Sequence, residues 1–284
     1  MTNHCQEMPE TDASDKTYDF ILRLGHALQK YSLPTPMLES AIAAMIRSLG
    51  AEGQVFVLPT GLFVSLGPQG KQRVSLMRVE PGEVNLEKLE RLDALAEGVA
   101  GGKIRLDTGI QMIDEILQAQ PTYGIVMTMD AYIVSASAFS RLLGGGWCEL
   151  VLTGLIGLFS GLIALLPRRW PQSSLLFEPS VALTSALMTA LLGRWFLPVS
   201  PYETILSGLI MALPTLILTT AVIELATRNL ISGSARLTWA VVIFLEISFG
   251  VTLGLSTVSW LVPDFHLVKI APIPLPHWSE LIAI

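Results

Sequence analysis

The chain has 284 residues, of which 51% are hydrophobic and 15% charged, against about 25% charged in an ordinary soluble domain. Its net charge of −6 sits mostly ahead of Gly124: residues up to Tyr123 hold 11 Lys/Arg and 16 Asp/Glu, the remainder 7 and 8. An acid-rich front part has no basic stripe to neutralise phosphates, which excludes nucleic-acid binding, and Cys5 and Cys148 form no zinc, redox or disulfide spacing.

Residues 1–17 are polar and read as a disordered tail; they lack the apolar core of a cleavable signal. The next segment, 18–121, is expected to be a cytoplasmic α+β domain. Tyr18–Lys30 places Phe20, Leu24, Ala27 and Leu28 at helical spacing. Thr35-Pro36 starts a second helix, with proline in the first turn, where no backbone donor is needed. That helix runs to Gly50, a glycine suited to the C-terminal cap. Three β-rich stretches follow, Gln54–Leu58, Leu62–Leu66 and Lys71–Val79. Pro59-Thr60-Gly61 and Gly67-Pro68-Gln69-Gly70 separate them, which predicts an antiparallel meander. Amphipathic helices at Asn85–Ala100 and Asp107–Ala119 complete the order ααβββαα.

From 122 to 262 the pattern predicts an all-α polytopic membrane bundle of about five transmembrane helices. The spans lie near Gly124–Leu143, Glu149–Leu166, Pro179–Leu197, Thr204–Leu225 and Leu237–Val262. Each is long enough for a hydrocarbon core of roughly 30 Å. Arg168, Arg169, Arg228 and Arg236 fall in loops on one side. That side is therefore cytoplasmic, with the amino terminus inside and the carboxyl terminus outside. The tail 263–284, with four prolines, is expected on the outer face.

Several residues in the spans carry candidate chemistry. Gly157-x-x-x-Gly161 and Gly250-x-x-x-Gly254 suit close helix packing in lipid. Asp130 and Glu246 are acids at membrane depth, with Glu246 about 15 Å along a helix from Arg236. Such acids usually face a bundle interior and can carry protons, because burial favours the neutral carboxyl; the alternative is a helix–helix hydrogen bond. Pro214 interrupts the fourth span among Thr215, Thr219 and Thr220, and broken helices near the midplane are where secondary transporters bind solute. Thr220, Glu224 and Arg228 are spaced to share one helix face, so a kink with a Glu224–Arg228 ion pair is the competing reading. No span holds a histidine, which argues against intramembrane zinc or serine proteolysis. No phosphate-binding loop or metal-ligand cluster is present in the pattern, so neither enzyme activity nor a cofactor is expected.

At these residues the chain resembles the threonine/serine exporter family, in its larger amino-terminal half, over about residues 18–262. The landmarks are Gly25-x-Ala27-Leu28, Pro59-Thr60-Gly61-Leu62, Val84-Asn85-Leu86 followed by Leu89, and Leu143-Gly144-Gly145-Gly146-Trp147. The most specific is the series Pro214, Thr220, Glu224, Gly233 and Arg236. Relatives commonly place glycine at 215 and 228, asparagine at 220 and aspartate at 224, where this chain has Thr215, Arg228, Thr220 and Glu224. The resemblance implies an inner (plasma) membrane exporter of threonine- or serine-type amino acids or short dicarboxylates, driven by the proton gradient. It also implies a second, small polytopic membrane subunit as partner; homo-oligomerisation is left open. On this reading Pro214, Thr215, Thr219, Thr220, Glu224 and Arg236 line the substrate path, Asp130 or Glu246 carries the proton, and Arg236 holds a carboxylate or an acidic partner. The alternative is a non-transporting membrane scaffold or regulatory sensor subunit, which would have no need of Thr220 or Glu224.

Overall fold

The computed structural model describes residues 10–261 apart from 69, 81, 83, 121, 167–170 and 196–198. The chain opens with α1 (Glu10–Lys30), α2 (Thr35–Ser48), β1 (Gly53–Leu58), β2 (Gly61–Leu66), β3 (Arg73–Arg78), α3 (Leu86–Ala100) and α4 (Leu106–Gln118). It continues with α5 (Ile125–Leu142), α6 (Trp147–Leu165), a 3-10 turn at Pro171–Leu176, α7 (Phe177–Trp195), α8 (Pro201–Gly208), α9 (Thr215–Ala226) and α10 (Leu230–Leu261). Two compact units result. One joins the residues up to 120 with Leu216–Thr238, and the other joins 121–215 with the residues from Trp239 onward.

In the first unit the predicted order ααβββαα is present. α1 begins at Glu10, ahead of Tyr18, and residues 1–9 lie outside the described residues. The sheet order is β1-β2-β3, antiparallel throughout. Period-2 alternation sends Leu62, Val64 and Leu66 of the central strand into a core shared with Phe20, Ile21 and Leu24 of α1, Leu38 and Ile42 of α2, Leu92 of α3 and Ile113 of α4. Gly25 lets α1 approach the sheet: a Cβ there would sit 2.6 Å from Leu62 Cδ2. Glu39 of α2 reaches sideways, and its Oε1 accepts the N–H of Val57 on β1 at 3.1 Å. Asn85 caps α3 by accepting the Lys88 N–H at 3.0 Å.

In the second unit α5 packs along α6 as a helical hairpin. A Cβ on Gly157 would lie 2.5 Å from the Tyr132 carbonyl oxygen, and one on Gly161 would lie 2.8 Å from Met129 Cε. Gly250 and Gly254 of α10 meet α7 in the same way. Their added Cβ atoms would come within 2.5 Å of the Pro179 carbonyl oxygen and 2.7 Å of Ala186 Cβ. Backbones at this separation gain dispersion that lipid cannot supply. Gly157→Leu should therefore overpack the α5–α6 contact at a cost of about 1–3 kcal/mol. The expected readout is a lower melting temperature in detergent, with the exposed Leu155→Ala as a near-neutral control.

Three helices among the described residues are long and apolar enough to cross a membrane: Trp147–Leu165, Ser174–Gly193 and Leu230–Leu261. The first expected span coincides with α5, but Thr128, Asp130, Ser135, Ser137, Ser140 and Arg141 dilute its apolar character. The fourth expected span is not one helix. It is α8, a turn at residues 209–214 and α9, because Pro214 has no N–H to donate and its ring crowds the preceding turn. By contact, Leu216–Thr238 groups with the residues up to 120. The tail 263–284 lies outside the described residues.

Candidate functional site

Within the first unit, Glu224 and Arg236, two of the residues singled out from sequence, come together. Glu224, on α9, is fully buried. Arg236 Nε, on α10, lies 3.1–3.2 Å from its two carboxylate oxygens. Oε1 also accepts the backbone N–H of Thr35 at 3.0 Å. Thr35 opens α2, whose N-terminus has no side-chain cap of its own. The carboxylate thus fills the place of an N-cap from far away in sequence, where the helix dipole favours negative charge. The acid that Arg236 meets belongs to its own chain. The Glu224–Arg228 pairing does not form. α9 stops at Ala226, and Arg228 is exposed with φ +64. The left-handed conformation explains why glycine suits this position. Thr219 is exposed and Thr220 half-buried on α9, so the two hydroxyls are not collected around Glu224.

Within the second unit Pro214 is buried and Thr215 exposed. Asp130 is exposed on α5 rather than interior. The buried residues of α5, Ala136, Ser140 and Arg141, all lie in its C-terminal half, and Asp130 lies in the more exposed N-terminal half. Glu246 is half-buried on α10, beside a narrow inward seam of Ala240, Ile243, Ile247, Gly250 and Gly254.

The densest polar feature here lies outside the set predicted from sequence. Glu149, in the first turn of α6, is fully buried. Its Oε2 accepts the N–H of Gly146 at 3.0 Å, and its Oε1 accepts the N–H of Ser200 at 2.8 Å. One carboxylate therefore ties the start of α6 to the start of α8. Buried hydroxyls also stand on the packed helices: Thr153 and Ser160 on α6, Ser185 and Thr189 on α7, Thr204 and Ser207 on α8. Most donate to helix carbonyls. Thr153 bonds Glu149 O at 2.8 Å, Ser185 bonds Ile205 O at 3.1 Å and Thr204 bonds Ser200 O at 2.7 Å. Each keeps acceptor capacity after donating. Ser140 Oγ and Thr189 Oγ1 are buried with no hydrogen-bond partner, a costly state for a hydroxyl. Arg141 is also buried, and its Nη1 approaches the Gly145 carbonyl oxygen at 3.5 Å. Among the described residues no group of three or more His, Cys, Asp or Glu side chains is placed to hold a metal ion.

Sequence reasoning passed over Glu149 as the edge of a span. Its signal is a glycine three residues ahead of an acid, the capping-box spacing. The hydroxyls also had a signal, Ser/Thr at helical intervals (Ser185 and Thr189; Ser200, Thr204 and Ser207).

The family model described as "Putative threonine/serine exporter" matches residues 19–258. Among curated proteins, the chain is similar to pheromone-regulated membrane protein 10 of three yeasts. It is 29% identical to that of Saccharomyces cerevisiae over 250 residues, 85% of this chain and 32% of the relative. The figures for Candida glabrata are 30% over 251 residues, 85% and 31%; for Eremothecium gossypii they are 28% over 270 residues, 93% and 36%. The chain thus spans about a third of the length of these relatives. No solved structure matches it.

Proposed function

This chain belongs to the threonine/serine exporter family, and from that premise we propose that it is a membrane subunit exporting small polar solutes. The solutes are threonine- or serine-type amino acids or short dicarboxylates. The observation that carries this reading is the buried hydroxyl-and-carboxylate interior of the second unit, with unpartnered hydroxyls at Ser140 and Thr189. Polar groups inside apolar helices are costly and mark solute paths. The proposed route runs through that interior. Glu224 and Arg236, already committed to each other and to Thr35, take a structural role. In the proposed topology α5 also crosses the inner membrane, the amino terminus is cytoplasmic, and a second small polytopic subunit completes the transporter.

The test is counterflow. The full chain is reconstituted with its family's second subunit in liposomes preloaded with threonine, serine or succinate. Accumulation of labelled solute above protein-free liposomes is expected, and movement of none of the three would leave the scaffold reading in place. For proton coupling, Glu246 is the better candidate than Asp130, since half-burial withholds it from solvent. Glu246→Gln should preserve counterflow and abolish acceleration by an imposed pH gradient; an unchanged response removes Glu246 from the mechanism.

A further inference from the structure

The three-stranded sheet of the first unit has one face in the core and one face outward. The register places Phe56 of β1 opposite Phe63 of β2, and Phe63 opposite Leu76 of β3, so the three form a continuous row. The Phe56 and Phe63 rings sit 6.2 Å apart. Val74 continues the patch on β3. Phe56, Val74 and Leu76 are 53%, 64% and 65% exposed, a contiguous apolar patch of the kind that is often functional. The charge pattern is one-sided. Among the described outward positions, three per strand, Arg78 alone carries charge, and none is acidic. Lys71 lies exposed just ahead of β3. This occurs in a stretch, residues 1–123, that holds five more acids than bases.

We propose that this outward sheet face lies on the anionic headgroup layer of the bilayer. Phe56, Val74 and Leu76 dip into the interfacial zone, while Arg78 and Lys71 meet lipid phosphates. Three observations select lipid as the occupant. Membrane-length helices in the same chain keep a bilayer at high local concentration, so even weak affinity holds the face down. Aromatic and aliphatic side chains flanked by basic ones match the composition of interfacial anchors. A face without acids, with Arg78 on it and Lys71 beside it, suits a negative surface.

The experiment uses the full chain with C5S and C148A, carrying a single nitroxide at V74C or L76C. D93C on exposed α3 serves as the solvated reference. Accessibility to oxygen and to a nickel chelate is compared in nanodiscs with and without phosphatidylglycerol. In anionic nanodiscs labels at 74 and 76 are expected to favour oxygen, whereas the label at 93 favours nickel in both lipids. The pair K71E/R78E should move the values at 74 and 76 toward the reference. Nickel accessibility at 74 and 76 equal to that at 93 would overturn the proposal. So would dipolar broadening between labels, which would show a second copy covering the face.

Discussion

Glu224→Ala is expected to destabilise the protein by about 3–5 kcal/mol, the range for breaking a buried ion pair from one side. Three groups lose their partners at once. Arg236 is left with its charge largely out of water, as its side chain is only 17% exposed. The Thr35 N–H loses its acceptor, and α2 loses the negative charge at its N-terminus. Glu224→Gln keeps an acceptor for Thr35 but no charge for Arg236, so its loss should be intermediate. The double change E224L/R236M removes both charges and should recover much of the stability lost by E224A, since a buried pair is often replaceable by well-packed apolar groups. Thermal unfolding in detergent gives the ranking, and hydrogen exchange at the first turn of α2 locates the damage. Wild-type melting of E224A would show that the carboxylate is not holding these elements.

The second large effect separates solute binding from stability. Ser140 and Thr189 each bury a hydroxyl that no protein group satisfies. Ser140→Ala and Thr189→Val delete that cost while nearly preserving volume. If the hydroxyls serve only packing, both variants should be as stable as the wild type or more so, with unaltered transport. If they bind solute, stability should still hold or rise, while the half-saturation concentration for counterflow rises about tenfold per hydrogen bond lost, the equivalent of roughly 1.4 kcal/mol. Opposite movement of stability and transport is a signature that a merely structural residue does not give. Unchanged transport in both variants would place the solute route elsewhere.

Local chemistry made much of the fold legible from the chain. The change from period 3.6 to period 2 near Gln54 exposed the meander, and Thr35-Pro36 marked the start of α2. Pro214 marked the break between α8 and α9. What stayed hidden depends on distance in sequence. Nothing local to Glu224 says that its acceptor oxygen will meet a backbone N–H 189 residues earlier. Hydropathy placed Leu216–Leu225 in the fourth span and Arg228 and Arg236 in the loop after it, because Leu, Ile, Val and Ala look alike to a core and to lipid. In the structure Leu216–Thr238 groups with the front unit, where Glu224 meets Arg236 and the Thr35 N–H. Asp130 is exposed on α5, which its depth along the chain does not foretell. Depth along a helix can be counted, but which side faces inward depends on the neighbouring helix.

The bond from Glu39 to Val57 has a consequence for self-association. With a carboxylate seated on an outward donor of β1, that margin of the sheet is closed to a visiting strand, whereas β3, at the opposite margin of the order β1-β2-β3, has no such stopper among the bonds described. A molecule with one open margin can pair back to back with a twin and then has nothing left to offer. A contact between copies through β3 would join two three-stranded sheets into one of six strands.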